Sequence, residues 1–206
     1  QIAEKEAKIE SRFIYPSFRG ADVNRWASSA NIYTLILNDP TNPNKPIREE
    51  IIKLGFPLTY SYLTHFKSDL LEREAYKKFH QKANRPFYAQ FNISKNTFMN
   101  YKVVWKRMSN DIFACVLSQI KTPFGFKIAI PLDTTSFFAT NNESEAHYLC
   151  AIINSNPVRD FIKSFSSAGR GFGTPSVMEH VGIPKFDPKN PLHQKLAEIS
   201  KKCHQL

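Results

Sequence analysis

The sequence lacks the features that define several large classes of protein. No apolar run approaches the roughly 18 residues that a membrane-spanning helix needs, so we expect no membrane segment. The chain begins at Gln1 without an initiator methionine or a signal segment, and we interpret it as part of a longer polypeptide. Its only cysteines are Cys115, Cys150 and Cys203. An odd number of widely spaced cysteines is typical of the reducing cytoplasm, which is where we expect the protein to be.

The common catalytic motifs are also missing. There is no Gly-x-Gly-x-x-Gly after a strand, no Walker phosphate loop, no nucleophile elbow and no His-Glu-x-x-His pair. A zinc site could be imagined from His147 and Cys150 together with Cys203 and His204. However, adjacent Cys and His rarely converge on one ion, and both cysteines fall on apolar stripes, which favours core packing. We therefore predict neither catalytic nor metal-binding residues in this chain.

Positive charge is the clearest compositional signal that is present. The chain has 28 Lys and Arg against 18 Asp and Glu, which gives a net charge of +10. Such an excess usually indicates a polyanionic partner, most often nucleic acid, although membrane surfaces and acidic proteins are alternatives. The charge is spread along the chain and not gathered in a tail, which favours a folded surface with a positive face.

The hydrophobic pattern predicts an α+β fold. Residues 60–83 carry the longest helical pattern of the chain, so we expect a long helix there. From Phe87 the pattern changes to short β-prone runs separated by turn residues, among them TPFG at 122–125. These runs predict a mixed or mainly antiparallel sheet of about five strands, flanked by the long helix. Pro191 should open a last helix at the C-terminus.

A helical pair followed by a glycine-rich loop dominates residues 145–186. Ala146, Leu149, Cys150 and Ile153 repeat at helical spacing, and a second apolar stripe, Val158, Phe161, Ile162 and Phe165, follows Pro157. The loop SSAGRGFGTPS then places Arg170 and Phe172 between glycines. A cation and an aromatic ring on a flexible backbone suit a contact loop, and an ordinary helix-to-strand connection is the alternative.

Four segments, taken in order, resemble a known family. They are PSFRGADVNRW at 16–26, YKVVWKRMS at 101–109, EAHYLCAIINSNPVRDFI at 145–162 and GFGTPSVMEHVGIPKFDP at 171–188. Together they resemble the TaqI-like C-terminal target-recognition domain of adenine-specific DNA methyltransferases. This domain also occurs in fused type IIG restriction–modification enzymes and in large phage-defence methylases. The resemblance covers nearly the whole chain, and it depends on the order and spacing of motifs that are weak individually.

The resemblance implies a role on DNA that needs a second domain. Such a domain docks on duplex DNA and reads a short target while its partner flips an adenine out of the stack. The catalytic domain of these enzymes binds S-adenosylmethionine and carries an Asn/Asp-Pro-Pro-Tyr/Phe motif. The nearest string here, Asn42-Pro43-Asn44, lacks the second proline and the aromatic residue. We therefore expect this chain to bind DNA without a cofactor of its own. Methyl transfer would be done by an upstream domain in a prokaryotic cytoplasm, and DNA cleavage by the parent is left open.

Charge and loop placement select the candidate DNA contacts, since lysines and arginines supply phosphate contacts and arginine can also read guanine. The candidates are Arg19, Arg25, Lys102, Lys106, Arg107, Lys163 and Arg170. For each one the alternative is an ordinary solvated or structural role. Arg19 in particular could instead pair with Asp22 as a clasp.

The predicted organisation is a linker helix over residues 1–11, which leads from the upstream catalytic domain, and a recognition domain over 12–206. Within that domain, residues 12–140 should contain the sheet, and residues 141–206 the helices and the glycine-rich loop. A module that docks a partner protein is the alternative function. An independent nuclease finds little support, because no acidic or metal-binding constellation is visible.

Overall fold

The computed structural model describes residues 5–166 and 172–206, and its class is the predicted α+β. The strands are β1 Ile14–Phe18, β2 Val23–Asn24, β3 Ala27–Ser28, β4 Ile32–Leu35, β5 Asn38–Asp39, β6 Asn42–Pro46, β7 Tyr101–Lys106, β8 Ala114–Leu117, β9 Gln119–Thr122, β10 Gly125–Ile128, β11 Ile130–Pro131 and β12 Thr135–Thr140. The α-helices are α1 Glu49–Gly55, α2 Pro57–His65, α3 Lys67–Glu72, α4 Glu74–Phe79, α5 Glu143–Ile153, α6 Asn156–Phe165, α7 Pro175–Met178 and α8 Pro191–Cys203. No helix in the described ranges is both long and apolar enough to cross a membrane.

The chain forms two compact units. Among the described residues, the first contains 5–14 and 34–98, and the second contains 15–33, 99–166 and 172–206. These units do not follow the predicted boundary at residue 140, because the strands before it and the helices after it share one core. Val103 and Trp105 of β7 pack in the same buried cluster as Ala146 and Ile153 of α5.

The first unit is mainly helical and has its own core, built from Phe13, Leu37, Ile52, Leu63, Phe87 and Tyr88. The single long helix predicted over residues 60–83 is wrong, since α2, α3 and α4 are separated at Phe66 and Arg73. The backbone of Arg73 is not helical, with φ −58° and ψ 129°. Its guanidinium donates to the carbonyls of Leu70, Phe87 and Ala89 at 2.9–3.0 Å, and these bonds hold the break in place.

The N-terminal segment is not the predicted linker helix over the part that the structure describes. Residues 5–10 have no regular secondary structure. Instead, the carboxylate of Glu10 accepts hydrogen bonds from the backbone N–H groups of Leu58 and Thr59, at 3.1 and 2.6 Å. These two N–H groups begin α2 and have no partner within the helix, so Glu10 caps it.

The second unit divides its strands among several small sheets. β12, β7 and β8 form an antiparallel sheet in that order, β9 and β10 form a hairpin, and β2 pairs with β3. β1 pairs in parallel with β11, with Ser17 opposite Ile130 and Phe18 opposite Pro131. The strands predicted between residues 87 and 140 are thus mainly antiparallel. FYAQFNI is the exception, because it forms no strand and lies in the first unit.

The helices α5, α6 and α8 lie in the second unit, where residue spacing predicts them. Asn142 caps α5 by accepting from the backbone N–H of Glu145 at 3.1 Å, and Ala146, Cys150 and Ile153 are buried as expected. The second predicted stripe is only half correct. Val158 and Ile162 of α6 are buried, whereas Phe161 and Phe165 are 47% and 46% exposed.

Candidate nucleic-acid interface

The turn that carries Arg19 is closed by Asp22. The carboxylate of Asp22 is buried and accepts from the backbone N–H of Arg19 at 2.8 Å and from its Nε at 3.4 Å. The predicted clasp is therefore present. The Arg19 side chain is nevertheless 49% exposed, so the clasp orients its guanidinium and leaves it accessible to an anion.

Thr134 ties this turn to the end of β7. Its hydroxyl accepts from the backbone N–H of Gly20 at 2.8 Å, and its carbonyl accepts from the backbone N–H of Arg107 at 3.1 Å. A Cβ atom on Gly20 would lie 2.9 Å from that carbonyl oxygen, so the close approach requires glycine. Arg107 is exposed, and its Nη1 reaches the carbonyl of Asp133 at 3.4 Å.

These bonds bring three of the predicted contacts to one end of the second unit, and we call Arg19, Lys106 and Arg107 the basic corner. Lys106 is partly exposed at the last position of β7. Two carboxylates lie nearby, those of Asp22 and Asp133, but the first is buried and already bonded to Arg19. The exposed surface of the corner therefore carries more positive than negative charge.

The end of the glycine-rich loop is fixed to the same place. The backbone N–H of Gly173 donates to the carbonyl of Arg107 at 3.0 Å, and its carbonyl accepts from the indole N–H of Trp105 at 2.8 Å. Phe172 is 1% exposed and packs in the core, so the expectation that its ring is a contact group is wrong. Arg170 lies outside the described residues.

Lys102 cannot reach a partner from where it lies. It is 1% exposed, and its ammonium donates to the carbonyl of Met99 at 2.8 Å. Burial lowers the pKa of Lys102 to about 7. Successive side chains of β7 point to opposite faces of the sheet, but both faces are covered at this position. Lys102 is therefore removed from the predicted contacts.

Arg25 and Lys163 lie on other elements of the second unit and are held by other contacts. The guanidinium of Arg25 lies 5.0 Å from the ring centroid of Phe113, in a cation–π arrangement. Lys163 forms an ion pair with Asp111 at 3.4 Å. Among the described residues, no hydrogen bond or ion pair joins either side chain to the basic corner.

Two polar residues of the helix motif have structural roles that the sequence did not reveal. The side-chain amide of Asn154 accepts from the backbone N–H of Ala114 at 2.9 Å and donates to its carbonyl at 2.8 Å, which imitates a strand partner for β8. The hydroxyl of Tyr148 donates to the carbonyl of Pro184 at 3.0 Å. A polar residue within an otherwise apolar helix motif is a signal of a structural hydrogen bond. The sequence could not identify the partners of Asn154 and Tyr148, because these lie 40 and 36 residues away.

The histidines considered for zinc form a buried polar network. Nδ1 of His147 lies 3.0 Å from Oγ of Ser200, and burial lowers the pKa of His147 to about 4. Nε2 of His204 accepts from the backbone N–H of Val116 at 2.9 Å, so its lone pair is occupied. The described ranges contain no group of three or more His, Cys, Asp or Glu side chains placed to hold a metal ion.

An apolar cleft of about 280 Å³ lies next to the ring of Trp105. Its charged lining residues are Glu145 and Lys185, and Glu145 accepts a 2.5 Å hydrogen bond from the hydroxyl of Thr140. The remaining lining is apolar or aromatic: Trp105, Phe138, Leu149, Ile153, Met178, Ile183, Pro184 and Phe186. One oxygen of the Glu145 carboxylate, Oε2, is thus already hydrogen-bonded within the protein.

A comparison with models of known protein families found no match for this chain, and a comparison with curated proteins found no relative.

Proposed function

We propose that this chain binds duplex DNA as the target-recognition domain of an N6-adenine DNA methyltransferase. The observation that carries the proposal is the basic corner. Three segments of the family-like motifs meet there: the Arg19 turn, the end of the YKVVWK strand and the FGTPS segment at 172–176. Residues far apart in sequence that converge on a single exposed cationic surface suit a phosphate-binding site.

The remaining motif segments provide the support behind this surface. Asn154 of the helix motif pairs with Ala114, and Trp26, which ends the first motif, donates its backbone N–H to the carbonyl of the same residue at 3.1 Å. Tyr148 joins α5 to the extended exit at Pro184. These hydrogen bonds join motif segments that are distant in sequence. Loss of one segment would leave buried polar groups of another segment without a partner, which explains why the segments occur together.

Binding of a fluorescein-labelled duplex, followed by anisotropy at increasing salt, tests the proposal. We expect affinity to fall steeply with salt, because phosphate contacts release counterions. Arg107→Gln and Lys106→Gln should each weaken binding and reduce the slope of log affinity against log salt by about one. Arg48→Gln, which removes an equal charge from an exposed position at the start of α1, is the matched control. Failure of the wild-type chain to bind any duplex at low salt would refute the proposal.

The methyltransferase part of the proposal has its own test. The coding sequence upstream of Gln1 should encode an S-adenosylmethionine-binding domain with an Asn/Asp-Pro-Pro-Tyr/Phe motif. The longer polypeptide should transfer a labelled methyl group to adenine in duplex DNA, and Arg107→Gln should impair this transfer. DNA binding without such a domain would limit the function to binding.

A partner-docking module is the second candidate, and the outer face of α6 favours it. Phe161 and Phe165 are about half exposed there, and their ring centroids are 5.1 Å apart. Exposed apolar pairs of this kind occur at protein interfaces. Association through this face would be insensitive to salt, so the same titration series distinguishes it from DNA binding.

A further inference from the structure

The hairpin of β9 and β10 is a two-stranded ribbon with a tightly fixed tip. Thr122 pairs with Gly125 across a two-residue turn, and the hydroxyl of Thr122 donates to the carbonyl of Gly125 at 2.7 Å. Gly125 has φ +100°, a backbone conformation that side chains disfavour, and this turn therefore requires glycine. The ribbon is consequently a defined structure and not a loose loop.

The two faces of this ribbon differ in character. On the inner face, Ile120 packs against the core cluster that contains Phe18, and the ammonium of Lys127 lies 5.5 Å from the ring centroid of Tyr15. On the outer face, Lys121 and Phe126 are direct cross-strand partners. Lys121 is exposed, and Phe126 is 70% exposed. An aromatic side chain next to a lysine is thus presented outwards on a rigid support.

The surrounding sequence determines which partner suits this face. Lys121 is the charged residue of this face, Lys127 lies on the inner face, and residues 112–132 contain no aspartate or glutamate. A cationic face complements a polyanion, and the major groove of DNA is wide enough to admit a two-stranded β-ribbon. A phenylalanine there can contact the methyl group of thymine, while a lysine reaches a phosphate.

We infer that the outer face of the β9–β10 ribbon is a second DNA contact, in which Phe126 touches bases in the major groove and Lys121 binds a phosphate. This inference rests on the proposed function and adds a separate surface to it. Phe126 precedes Pro131 by five residues, and Pro131 pairs with Phe18, immediately before Arg19. An extended strand of that length spans about 17 Å, or about five base pairs along the duplex. One duplex could therefore reach both the ribbon and the basic corner.

A pair of matched double variants of the full 206-residue chain tests the inference. Phe126→Ala with Lys121→Gln removes the ribbon contact. Leu192→Ala with Lys195→Gln removes an equal charge and an equally exposed apolar side chain from α8, because Leu192 is 71% exposed and Lys195 is exposed. Both variants and the wild type are titrated onto the same mixed-sequence, fluorescein-labelled duplex over a range of salt concentrations, and thermal unfolding checks that each remains folded.

We expect the ribbon variant to lose about tenfold or more in affinity, and its salt slope to fall by about one. The α8 variant should bind like the wild type. If the ribbon variant also binds like the wild type, the ribbon is not a contact, although the proposed function stands. If the wild type binds no duplex, both ideas fail. If the two double variants lose affinity equally, the effect is general charge loss and the inference is wrong.

Photo-crosslinking gives a direct readout of proximity. Phe126→p-benzoylphenylalanine should crosslink to the duplex on irradiation, and Leu192→p-benzoylphenylalanine should not. Crosslinking of the position 126 probe to a protein in a mixture with DNA, with none to the duplex itself, would assign the ribbon to a protein partner and overturn the inference.

Discussion

The indole N–H of Trp105 donates a 2.8 Å hydrogen bond to the carbonyl of Gly173, a residue 68 positions later in the chain. Because both residues are buried with the core cluster around Phe172, this bond joins the end of a β-strand to the exit of the glycine-rich loop. Lys106 and Arg107 follow Trp105 directly. This hydrogen bond therefore holds the exit of the glycine-rich loop against the basic corner.

Gly173 cannot accept a side chain. A Cβ atom there would lie 1.9 Å from the carbonyl oxygen of Lys106, and since that oxygen belongs to the backbone, the strand end would have to move. We expect Gly173→Ala to lower the free energy of unfolding by about 2–3 kcal/mol. Gly182→Ala is the control, because a Cβ atom there meets nothing within 4 Å. Chemical denaturation of both variants checks this, and equal stabilities would contradict it.

Trp105→Phe should destabilise the second unit by removing the donor to Gly173. A buried carbonyl left without its partner costs about 1–3 kcal/mol, and the smaller ring adds a cavity. Trp26→Phe makes the same chemical change in a partly buried ring and should cost less. The chain has two tryptophans, so each variant retains one fluorescent reporter for urea unfolding. A larger loss in Trp26→Phe would show that the Gly173 bond is unimportant.

Lys102 should make stability depend on pH in the alkaline range. Its pKa is about 7 in the folded chain against an ordinary value of 10.5, so between these values the unfolded chain binds more protons. Stability from this group therefore rises as pH increases from 7 to 10.5 and is flat below 7. Lys102→Met should remove that rise, which amounts to at most about 5 kcal/mol.

The measurement for Lys102 is the difference in unfolding free energy between variant and wild type at several pH values. Losing the bond to the Met99 carbonyl shifts the whole difference curve by a constant, so the slope is the informative quantity. The unfolding free energy of Lys102→Met, relative to that of the wild type, should be highest near neutral pH and lowest near pH 10.5. A flat difference curve would contradict a buried, weakly basic lysine.

His147 should make the protein sensitive to acid. Burial lowers its pKa from 6.5 to about 4, so the unfolded chain binds more protons between these values, and stability falls as pH decreases from 6.5 to 4. This group changes the free energy of unfolding by at most about 3.5 kcal/mol over that range. His147→Asn can keep a polar atom near Ser200 but cannot take up the proton. Thermal unfolding from pH 7 to pH 4 should show a shallower decline for His147→Asn, and parallel curves would contradict the prediction.

Local patterns in the sequence are sufficient for several elements. The helices α5, α6 and α8 begin near Asn142, Pro157 and Pro191, because a cap or a proline acts on the adjacent backbone. The hairpin turn at 122–125 also depends on neighbouring residues alone. The positive charge of the chain is likewise a property of composition. The α+β class follows from these local signals.

Only the tertiary structure decided which cations are available and where they meet. Lys102 and Lys106 lie four residues apart in β7, so the alternation of side chains along the strand places both on the same face. Only the elements that pack on that face decide which lysine is buried, and these elements come from elsewhere in the chain. The break at Arg73 likewise requires the carbonyls of Phe87 and Ala89, which a helical period cannot foresee. The sequence by itself determined the helical elements, the charge and the motif segments. Long-range hydrogen bonds at Thr134, Asn154 and Gly173 decided how those segments come together, since each bond depends on the whole fold.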